Sequence, residues 1–151
     1  MKTLLIRRGE RLDIRAIVGA ADENGRDRCA TLVFFQEHAK LRPKEFDRLS
    51  ALLQRVANDG SPNDTDKFKE LKGEDGLCEF KTSGGLRLLC FWDEGSLIVT
   101  THGYLKDKQK APKRELERAQ KLRSDYFADK QRGELHHAEP RKQTHRNLRF
   151  F

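Results

Sequence analysis

The sequence predicts an α+β fold: an antiparallel sheet of about four strands, two N-terminal helices packed on it, and a basic C-terminal helix. Three observations carry this reading. Apolar residues recur at helical spacing between Leu32 and Ala57. Three strand-like runs joined by short turns follow between Leu77 and Tyr104. All of the net charge of +7 then falls in residues 104–151, where a second helical pattern runs.

Taken in order, Leu12–Ala20 (LDIRAIVGA) alternates at Ile14, Ala16 and Val18, the pattern of a half-buried strand. Asn24-Gly25 is a turn dipeptide and allows either a hairpin or a strand-to-helix connection. The helical connection fits better, because Phe34, Phe35, His38 and Leu41 form one stripe and Thr31 is placed to cap it. Pro43 suits the first turn of a second helix. Along Lys44–Ala57 the residues Phe46, Leu49, Leu52, Leu53 and Val56 share one helical face. Asn58-Asp59-Gly60 ends that helix, and residues 61–66 read as a loop.

The period then changes. Leu77–Thr82, Leu86–Trp92 and Ser96–Tyr104 are strands separated by Ser83-Gly84-Gly85 and Asp93-Glu94-Gly95, an antiparallel meander. Pro112 opens a helix lined by Leu116, Ala119, Leu122, Tyr126 and Phe127, with Arg114, Arg118 and Lys121 on a second stripe. Residues 1–128 read as one domain. Residues 129–151 lack a sustained period and read as a mobile basic tail.

Composition narrows the classes of function. Hydrophobic and charged residues are each 36% of the chain, enough for a modest core. The basic last third favours a polyanion or an acidic protein partner. Cys29, Cys78 and Cys90 are odd in number and form no C-x-x-C pair, which argues against a disulfide framework or a zinc site. His136-His137 has no spaced carboxylate or cysteine beside it, so no metal and no cofactor is expected. Met1–Ile6 is too short in apolar residues for a signal peptide, and no apolar run approaches a membrane span. A cytoplasmic protein without a membrane partner is expected.

One ordered set of short motifs goes further. It comprises Phe68-Lys69-Glu70-Leu71-Lys72-Gly73, Leu77-Cys78-Glu79-Phe80-Lys81, Gly85-Leu86-Arg87-Leu88-Leu89, His102-Gly103-Tyr104-Leu105-Lys106 and Gln109-Lys110-Ala111-Pro112. In this order the set resembles the RelE/ParE superfamily of toxins, and within it the phage-derived HigB-like group. The resemblance covers about residues 44–127. Tyr104, Ala111 and Lys81 stand where that group usually has Phe, Thr and Arg.

The resemblance implies a small RelE-like fold and a type II toxin that acts as a ribosome-dependent, metal-independent mRNA endonuclease. The partners it implies are a helix-turn-helix antitoxin, the ribosome and mRNA. Arg87 matches a phosphate-contacting arginine, and Lys81 lies near a basic strand position of the superfamily. Glu79 stands where those nucleases often place a second base. With a turn centred on Gly84, Lys81 would lie opposite Arg87, and two opposed cations favour an anion between them. His102 is either a structural histidine or a group that donates a proton or stacks on a base. Tyr104, sharing its face, is either a stacking group or an edge of the core. Lys106, Lys108, Lys110 and Arg114 would meet RNA, or be a solvated rim. Two other functions remain open on sequence: a ParE-like inhibitor of DNA gyrase, and a non-toxic binding module of the same fold.

Overall fold

A computed structural model describes residues 1–19, 23–24, 28–60, 67–107 and 112–138. Among these residues, seven strands and three helices follow one another as β1 (Lys2–Arg8), β2 (Asp13–Val18), α1 (Ala30–Leu41), α2 (Pro43–Asp59), β3 (Phe68–Glu70), β4 (Leu77–Lys81), β5 (Leu86–Asp93), β6 (Leu97–Leu105), α3 (Lys113–Gln131) and β7 (His136–Ala138). The strands form one sheet in the order β3-β4-β5-β6-β2-β1-β7. The β6–β2 and β1–β7 pairs are parallel and the rest antiparallel. This corrects the expected architecture: the sheet is seven-stranded and mixed, not four-stranded and antiparallel.

The difference has physical causes. β3 and β7 are three residues each and sit at the two sheet edges. A strand that short exists because a neighbour supplies hydrogen bonds, not because its own side chains alternate. β1 has a bulge between Leu5 and Arg7 that breaks its alternation. The parallel pairing of β2 with β6 joins segments about eighty residues apart, a pairing no local pattern encodes.

The two faces of the sheet are covered differently. α1 and α2 pack one face, burying Phe35, Leu49, Leu53 and Val56 against Ile14, Ala16, Phe80, Leu88 and Ile98. Thr31 does not cap α1. The cap position is Cys29, with no side-chain hydrogen bond, and the Thr31 hydroxyl is buried 2.7 Å from the Thr100 hydroxyl on β6. α3 covers part of the other face in two blocks. Its C-terminal half sets Tyr126 against Ile17, Phe91 and Val99, and its N-terminal half sets Ala119 against Leu77, Leu89 and Tyr104.

The C-terminal half of α3 is also pinned by polar contacts. The Tyr126 hydroxyl donates to Asp93 Oδ2 at 2.6 Å, and Lys130 Nζ lies 2.6 Å from Asp93 Oδ1 and 3.1 Å from Glu94. Burial and the Asp93 carboxylate push the Tyr126 phenol well above its ordinary range, so it stays protonated and donating. The stretch expected as a tail, 129–151, begins inside α3 and includes β7, which pairs with β1. His137 there places Nδ1 2.5 Å from the Thr3 hydroxyl. Residues 139–151 lie outside those described. No helix among the described residues is long and apolar enough to cross a membrane.

α1 approaches β6 so closely that only glycine fits at position 103. A Cβ built there would meet the Phe34 ring at 2.3 Å. Gly103→Ala is therefore expected to destabilise the protein by about 1–3 kcal/mol through overpacking. Reduced freedom of the unfolded chain would offset about 0.4–1 kcal/mol of that. Urea denaturation measures the difference, and an unchanged or raised midpoint would contradict the close approach.

Candidate active site

The site begins at the β4–β5 turn. Lys81 pairs with Arg87 in register, so two cationic side chains stand side by side on one sheet face. Residues 82–85 connect them and are held from both sides. Glu45, in the first turn of α2, accepts the Gly84 N–H at 2.9 Å. The Lys106 N–H donates to the Gly85 carbonyl at 2.8 Å. Gly85 has φ +102°, and a Cβ there would meet the Lys106 carbonyl oxygen at 2.7 Å, so the turn needs glycine. Arg87 Nη1 donates back to the Thr82 and Leu86 carbonyls at 2.9 and 3.0 Å, which fixes the guanidinium beside the turn.

The second half comes from β6. Its pairing with β5 runs Leu89↔His102 and then Cys90↔Thr100, leaving Thr101 as an extra residue. Ile98 and Thr100 face α1 and α2. Without the extra residue, the two-residue period would send His102 and Tyr104 to that same face. The bulge turns them to the other face, where Tyr104 lies across from Arg87 and His102 across from Leu89. The Thr101 hydroxyl donates to the Leu89 carbonyl at 3.3 Å and so ties the bulge to β5. The result is two adjacent rows across the sheet: Lys81, Arg87 and Tyr104 in one, Glu79, Leu89 and His102 in the next.

α3 completes the arrangement. Glu115 Oε2 lies 3.4 Å from His102 Nε2, near enough for Coulomb attraction but without hydrogen-bond geometry. His102 is 1% exposed and Tyr104 9% exposed, whereas Lys81 and Arg87 are half-buried at the margin of α3. Burial, reinforced by Arg118, lowers the His102 pKa below its ordinary 6.5, against the pull of Glu115. The imidazole is therefore neutral at pH 7. Burial lowers the Lys81 pKa, and Lys69 and Arg87 add to that while Glu79 opposes it. Tyr104 is pushed up to about 12, by burial first and then by Glu79, with Arg87 pulling the other way.

Among the described residues, four buried side-chain polar atoms have no hydrogen-bond partner. Three of them are Arg87 Nε, His102 Nε2 and the Tyr104 hydroxyl. Orphaned polar atoms carry a desolvation cost of about 1–3 kcal/mol each, so folding alone gives no reason to gather them in one place. Of the expected RNA-contacting residues, Lys106 is half-buried beside the turn and Arg114 is exposed on the outer side of α3. Lys108 and Lys110 lie outside the described residues. Glu115 was not singled out by sequence reasoning; its only signal there is an acidic residue in the first turn after Pro112. Among the described residues, no group of three or more His, Cys, Asp or Glu side chains is placed to hold a metal ion.

Residues 36–124 match the family described as phage derived protein Gp49-like (DUF891). The chain belongs to the Gp49-like family. The match spans more than half of the chain and contains α2, the β3–β6 sheet and the first half of α3. The Gp49-like family lies within the RelE/HigB-like toxin superfamily and is associated with the toxins of toxin–antitoxin modules, in which an antitoxin is the partner. The expected kinship therefore holds at the level of the superfamily. No curated protein matches the chain.

The neutral state of His102 has a consequence for stability. Its folded pKa lies below the unfolded value of 6.5, so the unfolded chain binds the proton more readily. Stability from this residue is complete above about pH 6.5 and is lost as pH falls through the folded pKa. His38 and His137 are lowered in the same direction. The unfolding midpoint should thus drop between pH 7.5 and 5.5, and the drop should be smaller in His102→Gln. Equal drops in both proteins would mean that His102 is not buried neutral.

Proposed function

We propose that this Gp49-like protein is the toxin of a type II toxin–antitoxin pair, of the HigB-like kind, and cleaves mRNA on the ribosome without a metal ion. Its neutralising partner on this reading is a helix-turn-helix antitoxin. The observation that carries the reading is the gathering of three orphaned polar atoms, on Arg87, His102 and Tyr104, beside Lys81 on one sheet face. A phosphate group satisfies such a set, since a guanidinium fork matches phosphate oxygens and opposed cations are relieved by an anion.

In the reaction, the 2′-oxygen of RNA attacks the adjacent phosphorus as its proton leaves. The bond from phosphorus to the 5′-oxygen breaks, and that oxygen takes up a proton. The products are a 2′,3′-cyclic phosphate and a 5′-hydroxyl. Arg87 stabilises the charge that builds on the phosphate oxygens. His102, neutral at pH 7, is suited to accept the 2′ proton, and Glu115 to stabilise the imidazolium that forms. Lys81, whose ammonium gives up its proton more readily than usual, is suited to protonate the leaving oxygen. Tyr104 keeps its proton and serves as a hydrogen-bond donor and stacking surface. Lys106, Lys108, Lys110 and Arg114 add sequence-independent attraction for RNA.

Arg87→Ala is expected to fold normally and to abolish growth arrest. Loss of one transition-state donor costs about 2.7–4 kcal/mol, or roughly 10²–10³ in rate. Mapping transcript ends after induction reads the activity directly. Arrest with intact transcripts and an inhibited gyrase would replace this reading with the ParE-like one. Cleavage should also survive a chelator selective for transition metals, and cleavage lost and then restored by zinc alone would contradict a metal-independent reaction.

Replacing Lys106, Lys108 and Lys110 together by Gln should weaken ribosome or RNA binding and flatten its salt dependence by roughly two units, at about 0.7 per single-strand phosphate contact. Folding stability should hardly change, because the Lys106 N–H that holds the Gly85 carbonyl is a backbone group and survives the substitution. An unaltered salt slope would remove these lysines from the RNA contact. Loss of antitoxin binding alone would assign them to neutralisation.

A further inference from the structure

His102 also lines a second feature, away from the Lys81–Arg87 row. The parallel pairing of β2 with β6 ends at Ala16 and Thr100, where the bulge at Thr101 begins. A cavity of about 510 Å³ lies beyond that point, between α1, β6 and α3. That size is within the range of small-molecule sites. Val33, Phe34 and Leu122 form its apolar wall, and its polar one holds Arg28, Arg118, His102 and Thr101 together with one carboxylate, Glu37. Val33 is 53% exposed, a large aliphatic residue left uncovered at the cavity. His102 is its counterpart, almost completely buried, its Nε2 without a hydrogen bond and 3.4 Å from the Glu115 carboxylate.

We propose that this cavity binds one nucleotide unit of the RNA, its base against Val33, Phe34 and Leu122 and its phosphate with Arg28, Arg118 and His102. The ligand class follows from the two walls. The two guanidinium groups outnumber the single carboxylate, Glu37, so the polar wall keeps a net positive charge, and with the imidazole it suits a phosphate with several acceptor oxygens. The aromatic and aliphatic wall suits a flat base and offers nothing to a bare inorganic anion. The proposal rests on the RNA-cleaving reading for the identity of its ligand and adds a subsite to it. Because His102 belongs to both the cavity and the two-row grid, a nucleotide bound in the cavity lies next to the bond to be cut. The cavity would then select which base flanks that bond.

The test is calorimetric titration of the full chain with each ribonucleoside 3′-monophosphate, with inorganic phosphate and the parent nucleosides as controls. At least one nucleotide should bind at least tenfold more tightly than phosphate or its nucleoside. Val33→Trp, which fills the cavity from an exposed position, and Arg118→Ala, at an exposed helix position, should each weaken that binding at least tenfold while circular dichroism is unchanged. Arg87→Ala should leave it intact. Binding lost in Arg87→Ala but unaffected by Val33→Trp would move the nucleotide to the sheet face and overturn the proposal. So would binding no tighter than that of phosphate, or no binding at all. RNA cleavage measured in parallel separates the two readings. Nucleotide binding in the cavity without any cleavage sinks the nuclease reading alone. Cleavage with unchanged base preference in a folded Val33→Trp protein sinks the cavity alone.

Discussion

One extra residue in β6 decides which face of the sheet carries the cluster of polar side chains. Thr101 has no partner on β5, and the parity of the strand changes there. Upstream, Ile98 and Thr100 serve the packing of α1 and α2, and downstream His102 and Tyr104 join Arg87 and Lys81. The same shift leaves Gly103 facing α1, where the Phe34 ring occupies the place of a side chain. The bulge and the glycine are two aspects of a single constraint: β6 must support a tightly packed helix on one face and a polar site on the other. The parting of β6 from β2 that opens the neighbouring cavity begins at the same residue.

A site built this way is costly to hold. Buried or half-buried cations at Lys81 and Arg87, a buried imidazole and a buried phenol all oppose folding unless compensated. Compensation comes mainly from elsewhere in the fold. Leu77, Leu89, Ala119 and Leu116 exclude water from beneath the first half of α3. Tyr126, Asp93 and Lys130 fix the second half, far along the helix from the site. Glu45 reaches from α2 to hold the turn that sets the Lys81–Arg87 register, and the Thr82 side chain and the Gly84 N–H lower its pKa, keeping it an anionic acceptor. Rigid supports at a distance keep a site of poorly solvated polar groups in place.

The parts of the structure that rest on local pattern were legible in the sequence. The stripe Phe46, Leu49, Leu53, Val56 forms the buried face of α2, and Lys81 does stand opposite Arg87. What sequence pattern missed depends on distant partners. β1, β3 and β7 take their strand character from neighbours, and Thr31 looked like a cap because nothing local announces Thr100 across the core. Glu115 was missed for the same reason: an acidic residue in the first turn of a helix is ordinary until His102 is brought to it from another element. The alternation of His102 and Tyr104 correctly put them on one face. Which face could not be read without the bulge.

The positive charge of the last third divides according to this geometry. On α3, Lys113, Arg114 and Lys121 are exposed by 91%, 90% and 77%, while Glu115 and Asp129 are only 17% exposed and turn inward. Glu115 approaches the buried His102, and Asp129 pairs with the terminal amine of Met1. Glu117 and Asp125 stay exposed beside Lys113 and Lys121, so the inward turn belongs to Glu115 and Asp129 in particular. Exposed cations add little to folding, and their mutual repulsion opposes it. Their effect reaches outward about a Debye length, roughly 8 Å at physiological salt, and favours any polyanion that approaches. On the proposed reading the exposed cations of α3 act on encounter, while Arg87, held in the fold and half covered, acts on contact. Lys106, half-buried just after β6, lies between the two groups along the chain.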